Sequence, residues 1–168
     1  MTTAARPFVA PPRSRLEKTL EVLSALAMAA SWAIIGWYWE SLPETVPTHF
    51  GAGGVPDAYG SRGNITVPAF LSLAMYVLFT GVTLIPPRFH NSPVEVSEEN
   101  AAILVELTRT MVAWMKLALT TGLAWGTWST VQTALGRQHG LGWFFLPLLV
   151  IAVFTPLVVY VRRMYRAR

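Results

Sequence analysis

Four apolar stretches dominate the chain, at residues 20–39, 65–85, 111–131 and 143–161. Each is about 20 residues long, enough at ~1.5 Å per residue to cross a hydrocarbon layer ~30 Å thick. A water-soluble domain carries roughly 25% charged residues, because its surface must face water. Here the share is 13%, against 53% hydrophobic. The pattern predicts an all-α integral membrane protein with four transmembrane helices. They form one membrane domain over residues 19–165, after a basic cytoplasmic tail, residues 1–18, that is disordered or lies on the surface.

The boundaries follow from the breakers. The first stretch is longer than a signal-peptide core, and Trp37-Tyr38-Trp39 stands where a cleavage site would need small residues. It reads as a retained span. Residues 40–64 hold Pro43, Pro47, Pro56 and five glycines, so no useful helix fits there. Pro68 suits the first turn of the second span, and Pro86-Pro87 ends it. Ser97 is a candidate cap for a third helix running from Glu98 to about Ala134, roughly 55 Å at 1.5 Å per residue. Its first turns, to about Thr110, are expected to stand out of the membrane. Pro156 lies inside the fourth span and should kink it, with the freed carbonyl satisfied by packing or by a hydroxyl such as Thr155.

Lys and Arg collect on cytoplasmic flanks. The N-terminal tail has Arg6, Arg13, Arg15 and Lys18, and the C-terminal tail has Arg162, Arg163, Arg166 and Arg168. The connection between spans 2 and 3, with its emergent helix, adds Arg88 and Arg109. The two other connections carry Arg62 and Arg137 alone, so the count is ten against two. Both ends are therefore expected in the cytoplasm. Trp prefers membrane interfaces, and Trp37, Trp39, Trp128 and Trp143 all fall at the predicted outer end.

The chain has no cysteine, which excludes disulfides, thiolate metal sites and cysteine nucleophiles. No cofactor or catalytic motif is present, so the expectation is a protein without cofactor that is not an enzyme. The net charge of +4 comes from residues flanking apolar segments, which points to membrane orientation and not to direct nucleic-acid binding. Two regions can carry function. In the 42–63 loop, His49 and Asp57 can form a hydrogen-bonded pair and Arg62 can present a charge. Alternatively, Asp57 and Arg62 pair with each other or cap turns, and Phe50 and Tyr59 anchor the loop at the headgroups. A metal site lacks ligands, although His139 lies on the same side. On the third helix, Glu106, Arg109 (or Thr110), Ala113, Lys116 and Thr120 recur at three- and four-residue spacing and share a face. Lys116 lies about 7 Å from the inner interface, so it can snorkel to the headgroups. The sharper alternative turns this face into the bundle, with Glu106 and Arg109 as an ion pair at its mouth. His90 shows no obvious partner.

Leu42-Pro43-Glu44-Thr45-Val46-Pro47-Thr48-His49-Phe50, then Gly54, Pro56-Asp57 and Tyr59-Gly60-Ser61-Arg62, resembles a loop signature of a bacterial membrane domain of unknown function. That domain also forms the N-terminal part of the SdpI-like proteins, which confer immunity to a sporulation-delay toxin. The stretch 91–101 resembles the connection before the third helix in many relatives. The longer immunity proteins carry additional helices, so the chain is more similar to the short members. The resemblance implies residence in the bacterial cytoplasmic membrane, with His49, Asp57 and Arg62 as outer signature positions. It implies a binding, signalling or immunity role toward an exported peptide or a soluble cytoplasmic regulator, besides the lipid bilayer as partner. The other expectation is a transporter or channel component using the Lys116 face, built as an oligomer if it forms a pore.

Overall fold

A computed structural model describes residues 10–85 and 93–167. The expectations for Arg6, Pro86-Pro87, Arg88, His90, Asn91-Ser92 and Arg168 lie outside these residues. Four helices follow one another: α1 (Arg15–Tyr38), α2 (Val67–Leu84), α3 (Ala101–Ala134) and α4 (Phe145–Arg166). Between α1 and α2 a β-hairpin forms from β1 (Thr45–Phe50) and β2 (Pro56–Ser61), flanked by short 3-10 turns at Trp39–Ser41 and Arg62–Thr66. The fold is thus mostly helical, and the all-α expectation needs correcting for this antiparallel pair.

The first helix begins earlier than apolarity predicts. Ser14 caps it: the Glu17 amide donates to Ser14 Oγ, and the Ser14 amide donates to the Glu17 carboxylate. This reciprocal box satisfies two of the orphan donors at a helix start, so the basic segment from Arg15 is helix, not tail. The third helix begins later. Ser97 and Asn100 exchange side-chain bonds with each other's amides, forming a closed turn ahead of Ala101.

α3 is the hub. It packs most extensively on α1, then on α2 and α4, while α1 also touches α2. This placement explains its composition. By length and composition three helical segments can cross a membrane: Arg15–Ser41, Arg62–Leu84 and Phe145–Arg166. α3, with 34 residues, is long enough but not apolar enough. Its polar side chains Thr110, Lys116, Thr120, Thr127, Ser129, Thr130 and Gln132 are buried against the other helices, where lipid is not their solvent. The outer faces of the three apolar segments are the reverse. Only 11% of the most apolar window of α4 is buried, which leaves Leu146, Leu148, Ile151 and Phe154 exposed. Apolar surface on that scale fits hydrocarbon, not water. Pro156 sits inside α4 without ending it, and Thr155 is exposed and makes no side-chain hydrogen bond among the described residues.

Candidate functional site

The hairpin is held at both ends. At its root, Leu42, Val46 and Ile65 are buried with Ile35 of α1, Ala69 of α2 and Val131 of α3. Burying each of these large side chains contributes about 2 kcal/mol, which a two-stranded hairpin needs because it is marginal alone. The Arg62 amide closes the base by donating to Glu44 O (2.8 Å). Its guanidinium lies 5.4 Å from the centre of the Trp39 ring. The tip is held too. Gly54 adopts φ +75°, and its carbonyl accepts from the Leu141 amide (2.8 Å) in the α3–α4 turn. A Cβ on Gly54 would meet Gly142 O at 2.6 Å, so the two backbones approach as only glycine allows. That turn is itself tied to α3, because Ser129 Oγ donates to Gly140 O (3.0 Å).

Register shifts flank His49, so that Thr48 and Asp57 have no partner across the ladder. Such irregularities re-aim side chains. Here His49 Nδ1 and Asp57 Oδ1 lie 2.5 Å apart. The side chains are 70% and 51% exposed. Arg62 takes no part in this pair; its charge is turned to the root, against Trp39. The Asp57–Arg62 alternative is therefore corrected. Of the other signature positions, Leu42, Pro47 and Gly54 are buried, Phe50 and Pro56 half-buried, and Pro43 and Tyr59 exposed.

The second constellation lies at the opposite end of the bundle. Lys116 is fully buried. Its Nζ donates to Glu21 Oε2 of α1 (2.5 Å) and Thr80 Oγ1 of α2 (2.9 Å), and sits 4.6 Å from the Tyr76 ring centre. Tyr76 Oη donates to Glu21 Oε1 (2.7 Å). One charge of each sign, a phenol and a hydroxyl thus join three helices. One turn along α1 and two along α3, Arg109 Nε donates to Glu17 Oε1 (2.9 Å) and Nη1 to Pro11 O (2.9 Å).

These contacts correct two expectations. Lys116 does not snorkel; its face turns inward. Arg109 pairs with Glu17, while Glu106 is exposed and forms no ion pair among the described residues. Glu17, Glu21, Tyr76 and Thr80 were not anticipated as partners. A signal existed: Glu17, Leu20, Glu21 and Ser24 recur at helical spacing and put two carboxylates on the inner face of an otherwise apolar helix. Two unpaired acids there require two bases, and α3 holds Arg109 and Lys116 seven residues apart.

A model of a domain of unknown function, DUF1648, matches residues 26–73, which run from the middle of α1 through the hairpin into α2. An uncharacterised protein of the archaeon Archaeoglobus fulgidus is 30% identical over 162 residues, covering 89% of this chain and 87% of its own length. No solved structure matches the chain. With the archaeal protein similar over nearly its whole length, the chain belongs to the same family as that uncharacterised protein, and within it residues 26–73 match the domain of unknown function DUF1648.

Proposed function

We propose that the chain is a non-enzymatic multi-pass membrane protein that presents the β1–β2 hairpin outside the cell as a binding surface for an exported peptide. The observation that carries this reading is the combination of a fixed support with exposed chemistry. The hairpin is pinned by Leu42, Val46 and Ile65 at its root and by Leu141 at its tip, yet His49, Asp57 and Tyr59 face solvent. Binding groups on a loop positioned by a rigid scaffold lose little entropy when a partner docks.

In this reading all four helices span the cytoplasmic membrane and both ends are cytoplasmic. Ten flanking Lys and Arg against two support the orientation. α3 crosses inside the bundle, where α1, α2 and α4 cover its polar face. The likeness of the loop to the SdpI-like immunity proteins favours a peptide toxin as the ligand class, with the basic tails available to a soluble regulator.

The test is survival. Cells expressing the chain are challenged with exported toxic peptides, with His49→Ala and Asp57→Ala at matched membrane levels. Protection that both substitutions abolish supports the reading, and protection that they leave intact removes the hairpin from it. Because the chain lacks cysteine, a cysteine placed at exposed Ala52 reports the hairpin's side in the same cells; failure to react with an impermeant maleimide overturns the orientation.

A second reading, transport along the inner face of α3, draws on one observation. Ser31 Oγ and Ser72 Oγ are buried without a hydrogen-bond partner among the described residues. It requires the hydroxyl-lined interior to admit water or ions, and uptake that Lys116→Met abolishes and His49→Ala does not would favour it.

A further inference from the structure

A groove of about 840 Å³ runs between α3 and α4, lined almost wholly by apolar groups, among them Trp114, Gly122, Trp125, Leu149, Ala152 and Tyr160. On α4 the lining extends from Phe145 to Tyr160, about 22 Å at 1.5 Å per residue. One leaflet of a hydrocarbon core ~30 Å thick is shorter than that, so the groove can hold an acyl chain along its length. Its lining includes neither the residues of the Lys116 network nor the hairpin's exposed pair.

The groove ends in positive charge. Ala152, Pro156 and Val159 lie on one helical stripe, and Arg163 and Arg166 continue it at four- and three-residue spacing. Arg163 lies 5.2 Å from the centre of the ring of Tyr160, the last lining residue. No acidic residue occurs anywhere in α4. Glu106, the exposed carboxylate on α3 at this end, makes no ion pair with these arginines, nor does any other described acid. An apolar channel of acyl length that runs into unpaired guanidinium groups has the polarity of one ligand class. Guanidinium groups bind phosphate through paired N–H donors.

We propose that the α3–α4 groove binds an anionic phospholipid, one acyl chain lying along Ala152 and Gly122 and the phosphate held by Arg163 and Arg166. The site selects charge at the headgroup and is indifferent to chain identity. Nearby basic residues contribute roughly a fivefold preference for anionic lipid each.

The full chain is extracted in mild detergent with equimolar phosphatidylglycerol and phosphatidylcholine of identical chains, and retained lipid is read by native mass spectrometry. Wild type is expected to retain phosphatidylglycerol in clear excess. Arg163→Gln/Arg166→Gln, both at exposed positions, is expected to fall to parity, and Arg163→Lys/Arg166→Lys to keep part of the excess. Ala152→Phe, which fills the groove, is expected to lose both lipids while retaining its helical circular dichroism. Parity in wild type overturns the proposal, as does a preference that survives the glutamine pair. If Ala152→Phe instead converts a dimer to a monomer with lipid retention unchanged, the groove is an interface between copies and the proposal fails.

Discussion

His49–Asp57 and Lys116–Glu21 are two pairs of the same length, 2.5 Å, in opposite surroundings. The hairpin pair is more than half exposed on both side chains, whereas Lys116 is wholly buried and Glu21 is 25% exposed. The contrast shows that separation alone says little about what a pair does. Water screens the first and competes for its hydrogen bonds, so it contributes little to stability and leaves both groups free to exchange partners. The second has exchanged water for Thr80, Tyr76 and each other. Removing Glu21 would leave the Lys116 ammonium with no alternative solvent, and removing Lys116 would leave a largely buried carboxylate without its base. The hairpin pair is therefore suited to recognition and the bundle pair to holding α1, α2 and α3 in one arrangement.

The largest effect expected is from Lys116→Met. It takes the base from a Glu21 carboxylate that is three-quarters buried and still holds Tyr76, and should cost about 3 kcal/mol, the low end for a broken buried pair, read as lost thermal stability in detergent. Lys116→Met/Glu21→Gln should recover much of that loss, since no uncompensated charge remains. If the double variant is no better than the single one, the two side chains act independently and the contrast is broken.

An intermediate effect is expected from Gly54→Ala, because the positive φ and the nearby Gly142 backbone oppose any Cβ. The cost is about 1–3 kcal/mol, and amide-exchange protection at Leu141 should fall with it. Unchanged protection there would mean that the hairpin tip is not held by the α3–α4 turn. The smallest effect is expected from His49→Ala and Asp57→Ala, each shifting stability by under about 1 kcal/mol. A loss comparable to that of Lys116→Met would make the hairpin pair structural and remove its claim to be a binding surface.

Helix positions were largely legible, because apolar runs and proline or glycine breakers act locally. α2 and α4 lie within a few residues of the predicted spans. The errors sit at helix starts, where capping outweighs apolarity. Ser14 and Glu17 begin α1 among basic residues, and the Ser97–Asn100 turn delays α3. The hairpin was legible as a shaped loop rich in proline and glycine but not as strands, because Thr48 and Asp57 interrupt the alternation that marks a strand pair. The His49–Asp57 contact was one of several pairings that an eight-residue separation permits.

The sequence by itself determined the solvent. With 13% charged residues and runs of about 20 apolar ones, the chain can bury neither its surface in water nor its helices in one soluble core. It also marked α3 as different from its neighbours, since Glu106, Arg109, Lys116 and Thr120 share one of its faces. Only the tertiary structure decided which charge meets which. Glu21 and Lys116 are 95 residues apart, and their meeting depends on the rotation of two helices about their own axes and on α3 lying at the centre. A rotation of one residue, about 100°, would turn Lys116 toward another neighbour and leave the Glu21 carboxylate without its base. Ser24, Ser31 and Thr120 are wholly buried, and small side chains between helices favour a close approach that a rotated helix would lose.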